Sequence, residues 1–290
     1  MNCVEKYKEE VCNVRNIEMN YYNVYYYCNI IDNLLNLFTS SIDWVVTGAQ
    51  FTEPFFEEEI ECFPKYSALH AFCDFAIRQL LFEEAEEQIE DIQDRYDNSV
   101  IDNKAKRLSV AFRGGEKDDC FLEVDRLFKT YGKKHESFFA YLVNNGFDSI
   151  IDAYDDFTRF DGDLDDVILH LSRELFFILF QNREFLFRFN TYMANANPKK
   201  SNRCNIPQWV KRAVKYRDRG RCVCCGKDLS GLIDCEDEAS VHYDHMVSLN
   251  SGGMNDISNI QLLCSDCNLK KSSDSYTEIT YKDWYDFDEM

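Results

Sequence analysis

Two cysteine pairs, Cys222/Cys225 and Cys264/Cys267, each leave two residues between their thiols. That spacing lets both sulfurs of a pair reach one ion at about 2.3 Å from a tight turn, and two such turns complete a tetrahedron. The pattern predicts a structural zinc site. Gly226 directly behind Cys225 suits a turn that needs positive φ. Cys224 competes for the place of Cys225, but at one-residue spacing and with no glycine behind it. A small segment with a loop-like middle has a thin core, and zinc held by four thiolates supplies on the order of 10 kcal/mol of folding free energy. Thirty-nine positions separate Cys225 from Cys264, more than the ~15–20 inside an ordinary zinc ribbon.

The insertion carries its own chemistry. It runs Val241-His242-Tyr243-Asp244-His245-Met246-Val247, then Gly252-Gly253, then Asn259-Ile260-Gln261-Leu262-Leu263 into Cys264 and Asn268-Leu269-Lys270-Lys271. Alternation over 241–249, a glycine turn and a short apolar segment entering a helix predict a ββα unit. Its polar residues are those that metal-assisted phosphodiester hydrolysis needs. Asp244 is a hard oxygen ligand for Mg2+ or Mn2+, and Asn268 offers a second oxygen from the helix. His245, titrating near pH 6.5 when unperturbed, suits removal of a proton from the attacking water. The ion stabilises charge on the scissile phosphate and the leaving oxygen. The side-chain amide of Asn259 is expected to hold the His245 ring.

In order and spacing these residues resemble the HNH endonuclease family, whose fold is the ββα-metal motif. The likeness covers roughly residues 207–272, about a quarter of the chain. It implies that Asp244 and Asn268 hold a catalytic divalent ion, that His245 is the general base and that Asn259 is the family's central Asn. It also implies that the cysteine pairs are those of the zinc-stapled members. The last family position is often His, and Asn268 is a substitution the family accepts. His242 stands where an acidic residue often sits. Two readings stay open for it: contact with metal or phosphate, or a place on the hairpin surface.

The elements around this unit are basic. Ten Lys and Arg against one acid, Asp218, fall between Lys199 and Lys227. Pro207 in a first turn, apolar Val210, Ala213 and Val214, and Gly220 as a stop predict a helix of about three turns. Lys211, Arg212, Lys215 and Arg219 lie on its other side, and Lys270 and Lys271 follow Asn268. All six are expected to meet backbone phosphates of duplex DNA, which position a protein without reading sequence. A solvated charge run is the plain alternative.

The whole chain is acidic, with 32 Lys plus Arg against 52 Asp plus Glu, a net charge of −20. On average that argues against coating nucleic acid. Residues 1–198 carry −18 of it, and residues 199–290 only −2. Apolar residues at 45% and aromatics at 15% exclude a disordered acidic tail. No leader is expected from the polar start, and the longest apolar run in the greasiest stretch, Leu175 to Phe180, is six residues, where a span needs about 20. No membrane and a cytoplasmic location are expected. Thiols there stay reduced, so disulfides are not. Cys3, Cys12, Cys28, Cys62, Cys73 and Cys120 read as small buried hydrophobes, and Cys204, Cys224 and Cys235 as spare.

The fold class expected is a mainly α N-terminal domain (1–194), a linker (195–206), a small α+β ββα-metal domain (207–272) and an acidic tail (273–290). Ser67 caps a helix whose inward face is Leu69, Phe72, Cys73, Ala76, Leu80, Ile89 and Ile92. Further helices are predicted at 121–131 with a stop at Gly132, at 136–144, and unbroken from 163 to about 192. The segment 21–27 reads as strand or helix alike. Asp161 to Asp166 lacks the ladder of a calcium loop and reads as a helix start. His70, His135 and His170, isolated in sequence, read as structural or surface residues.

The function expected is a metal-dependent endonuclease acting on DNA with low sequence specificity. The helical domain is expected to regulate it by answering a protein partner or signal, an arrangement that resembles an antiphage defence effector. The alternative is a zinc-stapled nucleic-acid-binding or protein-interaction module without catalysis.

Overall fold

The computed structural model describes residues 19–20, 23–40, 42–57, 61–113, 122–159, 162–199, 201–231 and 241–271. The expectations for Cys3, Cys12, Cys120, Cys235, Asp161 and the tail 273–290 lie outside these residues.

Among the described residues, ten helices precede a small sheet. They are α1 (Val24–Ser40), α2 (Ile42–Glu57), α3 (Ala68–Asp97), α4 (Lys104–Phe112), α5 (Glu123–Thr130), α6 (Phe138–Asn144), α7 (Ile150–Arg159), α8 (Gly162–Leu179), α9 (Arg183–Ala196) and α10 (Gln208–Arg217). Strands β1 (Val241–His245) and β2 (Ile260–Cys264) pair antiparallel, and α11 (Ser265–Lys270) leaves β2 directly. The fold is therefore mainly α with a small α+β part at the C-terminal end, the class its periodicity predicts.

The described chain divides into two compact units, one from Met1–Val24 and Gln79–Glu174, the other from Tyr25–Arg78 and Leu175–Met290. In the first, Phe138 packs edge-on against Tyr154 at 5.1 Å, and Phe157 lies 5.2 Å away. His135 stacks on Phe128 at 3.7 Å, and His170 faces Tyr131. In the second, Phe72 sits 5.3 Å from both Phe51 and Phe189. His70 stacks on Phe176 at 3.8 Å. His70 and His135 thus serve packing, and His170 lies at the surface. The second unit also contains every described residue of the sheet and its flanking helices.

The apolar face predicted for α3 is buried throughout, from Leu69 to Ile92. Its start is a reciprocal cap. The Ser67 hydroxyl meets His70 Nδ1 at 2.7 Å, and the Ser67 N–H donates to the same nitrogen at 3.1 Å, so His70 stands where a capping box has Glu or Gln. Gly132 takes φ +64° just past α5 and ends it as expected.

One expectation is corrected, and one left open is decided. The helix predicted unbroken from 163 to about 192 is two, α8 and α9, because Asn182 leaves helical geometry and its side chain accepts the Phe185 N–H at 3.1 Å. The segment left undecided between strand and helix enters α1 from Val24 onward. Among the described residues, no helix is long and apolar enough to cross a membrane.

Candidate active site and zinc site

The second unit holds the site on four elements. Helix α10 follows Pro207, its extended N-cap, and buries Val210 and Val214 as the sequence predicts. It is followed by a knuckle in which the Gly226 N–H donates to the Cys222 carbonyl at 2.8 Å, with Gly226 at φ +74°. The Val223 N–H donates to Leu262 O at 3.1 Å, which ties the knuckle to β2. Cys264 ends β2 and Cys267 lies in the first turn of α11.

These turns bring the sulfurs of Cys222, Cys225, Cys264 and Cys267 within 4.8 Å of one another, with Cys225 and Cys264 3.7 Å apart. A tetrahedron with ~2.3 Å Zn–S bonds has edges of about 3.8 Å, so the donor set fits zinc. A hydrogen bond from the Cys224 thiol and nearby backbone N–H groups holds the Cys222 thiol down to about 3. Cys225 and Cys267 are pushed up, first by burial and then by neighbouring sulfurs. Thiolates that oppose each other's ionisation are what a dication reconciles. Cys224 is not among the four.

At the other end of the sheet, β1 and β2 are registered so that Asp244 faces Gln261 and His245 faces Ile260. His242 and Asp244 therefore share one face of β1, while Tyr243 and His245 share the other. Lys271 Nζ, just past α11, donates to Asp244 Oδ2 at 2.5 Å and to the His245 carbonyl. Asn268, on α11, brings its side-chain amide 3.4 Å from His242 Nδ1. On the opposite face, His245 is buried and its Nε2 lies 3.2 Å from Asn255 Oδ1. Burial pulls its pKa below the ordinary 6.5, Asn255 and Asp244 oppose that, and Lys271 and Arg203 add to it.

Residues 222–274 match the model of the HNH endonuclease family.

No curated protein and no solved structure gives a match. The HNH region thus spans both cysteine pairs and the polar cluster between them.

Asn259 departs from the role expected of it. Its Oδ1 accepts the Val247 N–H at 2.9 Å, and its Nδ2 donates to the carbonyls of Val247 and Met254, each at 3.0 Å. It holds the backbone of the loop between the strands rather than the His245 ring. The loop is tight: a Cβ on Gly253 would come 2.1 Å from the Val247 carbonyl oxygen, and Gly252 takes φ +90°. The residue that meets the ring is Asn255. Two asparagines follow the glycine pair, and residue type alone cannot choose between them.

The Asn255 side chain is itself oriented. Its Nδ2 donates to the Asn202 carbonyl at 2.7 Å and points to Cys204 Sγ at 3.6 Å, while its backbone carbonyl accepts the Phe63 N–H at 2.8 Å. Cys204 is joined to Cys62 in a disulfide across 142 residues, contrary to the expectation that these thiols stay apart. Spacing carries no signal for such a pair.

Charged residues whose role the sequence did not indicate brace the HNH region. Asp218 accepts from Arg217 Nε at 2.8 Å and Nη2 at 3.0 Å, and its Oδ2 accepts the Leu262 N–H at 3.0 Å. Arg183 of α9 donates to Gln261 Oε1 at 3.0 Å. Asp256 accepts the Ala68 N–H at 2.8 Å and the Ser258 hydroxyl at 2.6 Å. Burial pushes its carboxyl above the usual range, against the pull of those donors.

The six basic residues divide. Arg212, Arg219 and Lys270 are exposed. Lys211 lies 5.7 Å above the Tyr243 ring, and Lys215 Nζ donates to the Ser230 carbonyl at 3.3 Å, both half-buried. Arg212, Lys215 and Arg219 line an open cavity of about 670 Å3. Lys271 is turned onto Asp244 rather than outward.

Proposed function

We propose that this protein is a metal-dependent endonuclease that hydrolyses DNA phosphodiester bonds with low sequence specificity. The observation that carries the reading is that Asp244 and His245 close β1 within the HNH match, while Asn268 on α11 reaches His242 of the same strand beside four converging cysteine sulfurs.

The chain's own residues supply most of the chemistry. Because Asn255 Nδ2 is committed to Asn202, its Oδ1 faces His245, and Nε2 must be the ring nitrogen that carries the proton. Nδ1 then keeps its lone pair. A ring held neutral by burial is in the state a general base needs, and Nδ1 takes the proton of the attacking water as the new P–O bond forms and the bond to the leaving oxygen breaks. Asp244 and Asn268 are the oxygen donors for Mg2+ or Mn2+. A cationic group, Lys271 Nζ, already sits on Asp244 Oδ2 and the His245 carbonyl, so the pocket fits positive charge. A divalent ion there would neutralise charge on the scissile phosphate and the leaving oxygen. Arg212, Arg219 and Lys270 are exposed, and in this reading their charge meets backbone phosphates.

In the same reading, the acidic helices respond to a partner or signal and the protein serves as an antiphage defence effector; the support is the arrangement and the −18 charge of residues 1–198. The test is supercoiled plasmid incubated with Mg2+ or Mn2+ and either wild type or His245→Ala. Nicking by wild type alone is expected. Equal nicking by both sinks the assigned base. DNA binding without nicking by either favours a zinc-stapled binding module.

A further inference from the structure

Asp244 and Asn268 offer two oxygens to a divalent ion, and an ion of six-fold coordination draws further donors from water, phosphate or protein. His242 is placed to be one. It precedes Asp244 by two residues on β1, so both side chains rise from the same face of the strand. Its Nδ1 lies 3.4 Å from the Asn268 amide. Two donors at right angles on one ion, with bonds of ~2.1 Å, stand about 3.0 Å apart. A half-turn of the Asn268 amide exchanges its nitrogen for its oxygen without changing shape, which puts an oxygen donor where the nitrogen now points at His242. The two rings on the other face of β1 are engaged elsewhere, Tyr243 under Lys211 and His245 against Asn255. The amide it faces is that of a proposed ligand.

We infer that His242 binds the same divalent ion as Asp244 and Asn268, making the centre a mixed nitrogen and oxygen site. The inference rests on the nuclease reading and deepens it. Imidazole is a borderline donor that suits Mn2+ and later transition ions better than Mg2+, whose preference is for oxygen alone. The centre therefore favours Mn2+ over Mg2+, and a carboxylate at position 242 reverses that order.

Pulsed electron paramagnetic resonance of Mn2+ bound to the full chain separates the possibilities, because a directly coordinated imidazole nitrogen modulates the manganese signal. Wild type and His245→Ala are expected to show that modulation and His242→Ala to lack it. Mn2+ affinity in His242→Ala should fall at least about tenfold, the loss already typical of an outer-shell partner. Zinc content near one per chain in every variant certifies the fold, and His242→Gln stands in where His242→Ala loses zinc. Mn2+ bound by wild type without nitrogen modulation, or modulation that survives in both position-242 variants, overturns the inference and leaves the nuclease reading to the plasmid assay. Failure of wild type to bind Mn2+ at all overturns both.

Discussion

Asn255 presents Oδ1 to His245 Nε2 at 3.2 Å because its Nδ2 is held by the Asn202 carbonyl at 2.7 Å. The proposed base is thus oriented by a side chain that is fixed in turn by a segment 53 residues upstream. Asn255→Ala frees the ring to rotate and to exchange tautomers. Plasmid nicking should slow about tenfold to a hundredfold, part of the 10²–10⁴ that general-base catalysis contributes, while DNA affinity stays put. An unchanged rate would mean that the ring needs no such support.

Burial of His245 makes acid stability a readout independent of catalysis. Its folded pKa lies below the ordinary 6.5, so in that window the unfolded chain takes up a proton that the folded chain refuses. Stability is full above 6.5 and falls as the pH drops toward the folded value. His245→Gln lacks this loss. Denaturant midpoints at about pH 7.5 and about pH 5.5 should show wild type losing more than the variant. Parallel losses would contradict the burial argument, since zinc and every other titrating group are common to both proteins.

The four sulfurs within 4.8 Å predict one zinc per chain. Cys264→Ser, or a strong chelator, should remove it and with it on the order of 10 kcal/mol from the fold of residues 207–271. Metal analysis beside circular dichroism checks this. Retained zinc in the serine variant would assign the fourth ligand elsewhere, with Cys224 the nearest rival.

Asp218 and Arg217 have fully buried side chains and pair at 2.8 Å. Asp218→Ala leaves the guanidinium buried without its partner and the Leu262 N–H without an acceptor, which should cost about 3–5 kcal/mol. Equilibrium unfolding measures it. A cost near that of an exposed pair, under about 1 kcal/mol, would show that water reaches the site.

A chain beginning at Ser201 loses the Ala68 N–H that meets Asp256, the Asn190 amide that meets Ser258 and the Arg183 guanidinium that meets Gln261. Its melting temperature should fall well below that of the full chain, and its nicking with it. Faster nicking by the fragment would instead support restraint by the acidic helices.

The zinc ligands were legible because a knuckle is local: two residues between thiols and a glycine behind them encode the turn. The ββα order was legible for the same reason, as was the α3 face, whose periodicity follows from the helix itself. Asp244, His245 and Asn268 stand out by type alone, as candidates for metal and proton chemistry that few residues can do. What the tertiary structure alone decided are the relations between distant segments. Asn255 rather than Asn259 meets His245, Lys271 lies on Asp244, and Cys62 finds Cys204, since each contact depends on how loops far apart in the chain are brought together. A side chain's type states what it can do; only packing selects the partner with which it does it.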